Sequence, residues 1–538
     1  MGLPLRAGQL LLGAAAVGAA VPSCYSAGGG TAPPPETFYF PVGLAVSSDG
    51  NVLYAVNSDF DLQYNGGTLQ SYDLSSLRRD AVNQVTAAIA NIGNDAGCPS
   101  QQPPGGTPLG QLCAPPTSTT PHYFKKSVTI GAFASAMQIS KISDPTIPTR
   151  TRLFVAVRGD ATLTWADIGD PDDPFKIDCG QASGTRCDAA HQAGNDPNAL
   201  GDTRNATMPG EPFGMAQTED GTAIAITHQT DTKTSLLTTQ PLPTMQFVLD
   251  GVPTGGVGIA AVPHDPDAPV KPCENVNDTP PCVRPAFLET SRTTAEIDLL
   301  RYYDDDGTSF DGGLPPGTSS LHRPFLSREA AYPITSNSIG TDSRGIVIDR
   351  TPRIACKASG LDPASCATQY PARVFFASRT PPALGIGEIG GPPSIGAMYD
   401  PDRLVLTGNV PLPNGPSSVY LAPIVDPTGV FALRVFIVCF DQSQIVVYDP
   451  NAQAVENVIN VGPGPFAMAF DPFLIEDVGR QAPVPKDDLG TRKYRFAYVA
   501  SFTQSFVQMI DLDDSQSSPE TFERVVFTLG QPTNPKGR

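Results

Sequence analysis

The stretch Pro41-Val42-Gly43-Leu44-Ala45-Val46-Ser47-Ser48-Asp49-Gly50 decides the fold, together with Val52-Leu53-Tyr54-Ala55-Val56-Asn57 and Gly67-Thr68-Leu69-Gln70-Ser71-Tyr72-Asp73-Leu74 behind it. It reads as strand, Asp-Gly hairpin turn, strand, turn, strand. The pattern returns at Pro212-Phe213-Gly214-Met215-Ala216, which leads through Glu219-Asp220-Gly221 to Ala223-Ile224-Ala225-Ile226-Thr227. A third copy runs from Val458 through Gly462-Pro463-Gly464-Pro465-Phe466-Ala467-Met468-Ala469-Phe470-Asp471 to Phe496-Ala497-Tyr498-Val499-Ala500-Ser501, then Phe506-Val507-Gln508-Met509-Ile510-Asp511. Such self-similarity marks a repeat architecture.

Weaker copies fill the gaps, with second strands at Leu153–Val157, Ala286–Thr290, Val374–Ser378 and Val435–Cys439. The repeat resembles the YVTN type found in lactonase-like β-propellers: a Pro-x-Gly lead-in, an apolar inner strand, Ser-x-Asp-Gly, a Val-Tyr-Val-Ala-Asn-like second strand and a third strand ending in Asp. The resemblance implies an all-β, seven-bladed β-propeller over residues 38–531, with Val525–Gly530 as the last outer strand. A closed ring removes exposed edges between blades. Blades of about 70 residues exceed the ~40–45 of a compact blade, so the excess is insertion. Alternating strand direction puts first-to-second and third-to-fourth connections on one face, where the long insertions fall, including Asp304–Phe325 and Pro472–Lys493. The other face carries short turns. No amphipathic helix longer than about three turns is evident.

Composition agrees with an all-β chain: Gly 51 and Pro 56 among 538 residues, with 17% charged. The net charge of −19 excludes a nucleic-acid partner, because phosphate binding needs a basic surface. Residues 1–23 read as a signal peptide, since the apolar run Leu10–Val21 is too short to span a bilayer. The run ends at Val21-Pro22-Ser23-Cys24, which resembles a bacterial lipobox with Cys24 as the lipidated residue. Pro22 departs from that pattern, and ordinary cleavage near Ala20 is the alternative. Residues 24–37 form a Gly/Pro tether, and residues 532–538 a C-terminal tail. The expected location is the cell envelope, as an outer-membrane lipoprotein facing the periplasm or the exterior, monomeric and held to the membrane by its lipid alone.

Eight of the ten cysteines fall into local pairs in polar loops: Cys98 with Cys113, Cys179 with Cys187, Cys273 with Cys282, and Cys356 with Cys366. Export makes disulfides reasonable, and local pairing is the simplest solution, although spacing alone leaves the connectivity open. Cys439, inside an apolar run, reads as a buried free thiol.

Aligning the second strands by their ends gives one column: Asn57, Arg158, Gln229, Arg292, Arg379, Phe440 and Phe502. In a closed ring these surround the central opening on the short-turn face. With Arg344, the arginines and amides form a candidate anion site, since guanidinium forks match carboxylate and phosphate. The bland alternative pairs them with carboxylates such as Asp59, Asp160 and Asp342.

Catalytic signatures are absent. The histidines His122, His191, His228, His264 and His322 show no metal spacing, and no Gly-x-Ser-x-Gly elbow occurs. The acidic stretch Asp304–Gly312 fails the calcium-loop ladder because Tyr302 stands where the first aspartate belongs. Quinone-cofactor propellers carry repeated tryptophan motifs, whereas Trp165 is alone here. Inner-strand starts such as Leu44-Ala45 and Ile259-Ala260 lack the carboxylates of metal-dependent lactone hydrolases, leaving Glu211, Glu289 and Asp342. Glu289, within an apolar strand, stands out for its ionisation. No metal or cofactor is expected. The expected function is non-catalytic binding or scaffolding through the loop-rich face, toward an envelope protein or a periplasmic or extracellular ligand. The alternative is a propeller that binds, or hydrolyses, a small anion or lactone around the central channel.

Overall fold

The computed structural model describes residues 30–90, 117–142, 149–181, 184–270, 283–305, 323–335, 339–392, 398–483, 495–515 and 521–531. The signal segment, Cys24, the two pairs Cys98/Cys113 and Cys273/Cys282, His322 and the tail lie outside them.

Seven antiparallel sheets form seven blades. Their inner strands are Pro41–Val46, Ala134–Ile142, Pro212–Gln217, Gly256–Ala261, Ser343–Asp349, Pro416–Val425 and Pro465–Phe470. Each inner strand packs beside the next, and the seventh packs beside the first, so the ring is closed. The second strands are Val52–Asn57, Arg150–Val157, Ala223–His228, Ala286–Ser291, Ala372–Arg379, Phe431–Cys439 and Phe496–Ser501. All seven contain the expected segments, and Val525–Leu529 is the outer strand of blade 7.

The second strands are continuous apolar runs because each is buried on both sides. Every blade-to-blade interface has its own core. In blade 5, Val374 and Phe376 pack toward blade 4 with Leu288 and Ile297. The alternate residues Phe375 and Ala377 pack toward blade 6 with Val435 and Ile437. The period of two thus feeds two cores, a consequence of opposite-pointing neighbours in a strand. Cys439 is buried and free as expected, and burial pushes its thiol up to about 12.

The hairpin turns follow the sequence. Ser47 accepts from the Gly50 backbone through its carbonyl (2.9 Å) and from Val52 N through its hydroxyl (2.9 Å). Thr218 repeats this with Gly221 and Ala223. Gly50 and Gly221 sit at φ +78° and +75°, where a Cβ would be strained.

Three features depart from expectation or were invisible to it. A 17-residue helix, Leu74–Ala90, follows the third strand of blade 1, contrary to the reading that no helix exceeds three turns. Among its described side chains the core contacts are Leu74, Leu77, Ala81 and the partly buried Val82, too few apolar positions for a visible stripe. Second, the seam between blades 7 and 1 is clasped twice. Thr117–Ser118, from the blade 1 insertion, pairs in parallel with the outer strand of blade 7, and buried Arg78 on the helix meets buried Asp471 at 2.9 Å. Third, the fourth strand of blade 2 is split into Ile177–Asp178 and Gln192–Ala193. The Cys179–Cys187 disulfide closes the loop between them, and Arg186 of that loop bridges Thr129 and reaches the Asn65 carbonyl of blade 1. The Cys356–Cys366 disulfide joins helices Thr351–Ala358 and Pro363–Gln369 in the first-to-second connection of blade 5. Among the described residues no helix is long and apolar enough to cross a membrane.

Candidate functional site

One backbone device repeats in all seven blades and builds the mouth on the short-turn face. The residue just before each inner strand is left-handed: Phe40, Phe133, Glu211, Gly255, Asp342, Gly415 and Gly464, with φ between 50° and 85°. Each offers its carbonyl to the backbone N–H at the end of the same blade's second strand. The donors are Ser58, Arg158, Gln229, Arg292, Arg379, Phe440 and Phe502, at 2.8–3.1 Å. Four of the seven left-handed residues carry side chains despite a cost of about 1–2 kcal/mol per residue. Such strain gathers at functional sites.

This ring fixes the position of every candidate. Arg158, Gln229, Arg292 and Arg379 occupy equivalent places around the opening. Asn57 does not: the equivalent residue in blade 1 is Ser58, one step later. Asn57 pairs with Pro41 and turns into the blade, 2% exposed. Its amide donates to Thr68 Oγ1 (2.8 Å) and Gln70 Oε1 (2.7 Å), and its carbonyl accepts from Tyr39 N (3.0 Å). These bonds leave it no role at the mouth. Arg158 is held by Glu211 beside the Phe213 ring, and Gln229 is half-buried next to them.

The structure brings three candidates together. Asp342 is their hub. Arg344 Nε lies 2.7 Å from its Oδ1, Arg292 Nε 3.6 Å from the same oxygen, and Arg379 N donates to its carbonyl at 3.0 Å. Arg379 reaches on to Asp441 of blade 6 at 3.0 Å. Three guanidiniums therefore face two carboxylates, a local cationic surplus in a protein of net charge −19. Burial, reinforced by the charges of Arg292 and Arg379, holds Arg344 below the usual arginine range against the pull of Asp342. The pairing with Asp342 matches the bland alternative, but Asp59 and Asp160 take no part. Glu211 and Asp441 fill those roles.

Several polar atoms here lack hydrogen bonds: Arg379 Nε, the hydroxyls of Ser343 and Ser378, and Arg344 Nε, which is within ion-pair distance of Asp342 but misaligned. Ser343 and Ser378 are fully buried and face each other across the first and second strands of blade 5. An unmade buried hydrogen bond costs about 1–3 kcal/mol, so these atoms suit an internal water that completes the set. Beside it lies an open basin of about 450 Å³ lined by Asp342, Arg379, Pro382, Asn414, Gly415, Asp441 and Gln442.

Beyond this cluster and the Arg158–Glu211 pair with Gln229, the mouth is aromatic. Phe440 meets Phe466 (6.5 Å between ring centres) and Phe502 (6.2 Å). Phe502 meets Phe40 (4.9 Å) and Phe60 (5.3 Å), and Phe60 meets Phe133 (5.8 Å). This crescent spans blades 6, 7, 1 and 2. The sequence column contained only Phe440 and Phe502. Phe40 and Phe133 were hidden because they occupy the left-handed position that glycine takes in blades 4, 6 and 7.

The opposite face is tied across the axis. Arg350 of blade 5 pairs with Glu219 of blade 3 (3.2 Å) and Glu476 of blade 7 (2.8 Å). Nearby, His264 Nε2 lies 2.7 Å from buried Asp402, whose other oxygen meets Arg301 at 2.6 Å. Burial opposes ionisation of Asp402, but His264 and Arg301 outweigh it and hold the carboxyl below the usual range. Among the other histidines, His228 is buried between the Gly210 carbonyl and Ser235, and His191 stacks on Trp165. Glu289 is fully buried, accepts from Thr234 Oγ1 at 2.6 Å, and is pushed up to about 8 by burial.

No protein-family model and no curated protein matches the sequence. Solved structures similar to it include a candidate 6-phosphogluconolactonase from Bacteroides uniformis, 13% identical with a TM-score of 0.41, covering 78% of this chain and 86% of that one. The periplasmic gluconolactonase of Pseudomonas aeruginosa is 10% identical with a TM-score of 0.41, covering 79% of this chain and 86% of that one. The hydrazine synthase structure of Kuenenia stuttgartiensis is 10% identical with a TM-score of 0.44, covering 90% and 99%. The molecule is a seven-bladed β-propeller with stapled insertions. Its activity has to be argued from its own residues, because propellers host many unrelated functions.

Proposed function

We propose that this propeller is a binding protein whose ligand is a small organic anion, held at the short-turn mouth by Arg379 with Arg344 and Arg292 behind it. The observation that carries the reading is that Arg379 lines the basin while Arg344 and Arg292 gather behind it on Asp342, so three guanidiniums stand against two carboxylates. An anion there would gain charge-assisted hydrogen bonds from side chains already positioned by Asp342 and Asp441. The sequence of residues 10–24 supports placing this site on an exported, lipid-anchored envelope protein. A partner bound on the loop-rich face has less support. Arg350 and Lys357 there are already engaged in internal ion pairs, and two of the loops expected to carry disulfides lie outside the described residues.

The test is thermal unfolding of the full chain with increasing acetate, phosphate, gluconate and aryl-substituted carboxylates. A ligand at a hundred times its Kd stabilises by about 2.7 kcal/mol, and Arg379→Ala together with Arg292→Ala should remove that gain. If no anion raises the melting temperature of the unaltered protein, the reading is wrong.

A further inference from the structure

The mouth is chemically two-sided, and that asymmetry specifies the ligand more closely than charge alone. We infer that its ligand is a monocarboxylic acid with an apolar, ring-sized body, its carboxylate on the Arg379 side and its body on the phenylalanine crescent. The inference rests on the proposed anion site and deepens it.

The two halves are joined without a gap. Arg379 meets Asp441, and Asp441 follows Phe440, the first ring of the crescent. From Phe440 the rings continue to Phe502 and then to Phe60 in steps of 6.2 Å and 5.3 Å. Phe440, Phe466, Phe502 and Phe133 keep part of their surface accessible, and Phe60 is 43% exposed. Leu62, in the same connection of blade 1, is 44% exposed. A contiguous exposed apolar patch beside polar anchors marks a binding surface. Tilted and edge-on rings offer both faces and edges to another ring.

The charge favours one carboxylate over two. Three guanidiniums stand against Asp342 and Asp441, so one further negative charge balances the cluster. A second would sit near the like charge of Asp441 or against phenylalanine rings that offer it no hydrogen bond. A sugar acid fits less well, because its hydroxyls would lose water against phenylalanine without gaining partners.

The patch has a competing occupant. The chain enters the propeller beside it, since Asn65 N donates to the Thr31 carbonyl at 2.9 Å. A membrane anchor upstream of residue 30 would bring a bilayer near Phe60 and Leu62. Asp59 and Asp61 flank Phe60 and Tyr39 donates to Asp61, an acidic setting that argues against a lipid surface.

The experiment is calorimetric titration of the full chain and of Phe60→Ala and Arg379→Ala with 4-phenylbutyrate, octanoate, acetate and gluconate. Flotation with phosphatidylcholine vesicles is run in parallel. Phe60 is exposed, so its removal leaves the fold intact, checked by an unchanged melting temperature without ligand. The expected result is 4-phenylbutyrate binding at least tenfold tighter than acetate and gluconate. Phe60→Ala should weaken phenylbutyrate several-fold while leaving acetate unchanged, and Arg379→Ala should weaken every acid. Equal affinity for all four acids with a silent Phe60→Ala overturns the apolar-acid inference and leaves the anion site standing. Binding of none overturns both. Loss of vesicle flotation in Phe60→Ala, with phenylbutyrate affinity unchanged, assigns the patch to a membrane and also overturns the inference.

Discussion

Replacing Glu289 with glutamine should stabilise this protein at neutral pH and do nothing near pH 4.5. Glu289 sits on the second strand of blade 4, fully buried, with one oxygen accepting from Thr234 of blade 3 and the other unbonded. Burial raises its pKa from 4.5 to about 8. The folded protein therefore keeps the proton between pH 4.5 and 8, while the unfolded chain releases it. Where the folded state binds more protons, stability falls as pH rises. At about 1.4 kcal/mol per pH unit, the loss reaches on the order of 3 kcal/mol at pH 7 and approaches 5 kcal/mol near pH 8, both upper values for a rigid site. Glutamine is neutral in both states and nearly isosteric with the protonated acid, so the variant should lack this slope. The assay is urea unfolding at pH 4.5, 6, 7 and 8, followed by far-UV circular dichroism and by the fluorescence of Trp165. The midpoints of the two proteins should coincide at pH 4.5 and separate steadily above it, glutamine being the more stable. A gap that stays constant across the range would refute the protonated carboxyl.

Other outcomes follow from the same contacts. Asp402→Asn should cost about 1.5–3 kcal/mol at pH 7, because it removes one of the two carboxylates that hold Arg301, leaving Glu329, and disturbs the contact with His264. Since the Asp402 carboxyl is held below the usual range, its contribution is complete above the usual carboxylate range and is lost as pH falls through its lowered pKa, so the gap should close in acid unfolding curves. Arg78→Ala should cost a similar amount by removing the ion-pair partner of buried Asp471 at the ring seam, which keeps only its hydrogen bonds from Tyr498 and Phe496 N, and limited proteolysis should then cut first near that seam. Cys179→Ser with Cys187→Ser should lower stability by about 2–3 kcal/mol through loop entropy, seen as a lower denaturant midpoint. Cys439, with its thiol raised to about 12, should resist alkylation in the folded protein at pH 8 and react on unfolding.

The parts of this structure that sequence revealed are those governed by local chemistry. Val374–Ser378 and Val435–Cys439 read as strands because burial on both sides removes polar alternation. Gly50 and Gly221 marked the hairpins because the turn needs a positive φ. The residues of the mouth were mostly legible too: Arg158, Gln229, Arg292, Arg379, Phe440 and Phe502 occupy equivalent places. The misalignment at Asn57 arose because the strand end is set by pairing with Pro41, which no side chain announces. The left-handed position before each inner strand went unread: glycine fills it at Gly255, Gly415 and Gly464, but Phe40, Phe133, Glu211 and Asp342 fill it elsewhere and break the pattern. The Arg78–Asp471 pair and the Thr117–Ser118 clasp join residues hundreds of positions apart, and local pattern holds no trace of them. The aromatic crescent was missed for a related reason, since its rings come from four blades.

The arginine-lined mouth is tested most directly by crystallising the full chain with 4-phenylbutyrate and inspecting the difference density. The carboxylate should lie within hydrogen-bonding distance of Arg379, in the basin bounded by Asn414 and Gln442, with the phenyl ring against Phe440 and Phe502. A basin holding only water at saturating ligand, or density confined to the cavity beside His264 and Lys357 on the opposite face, would contradict the assignment.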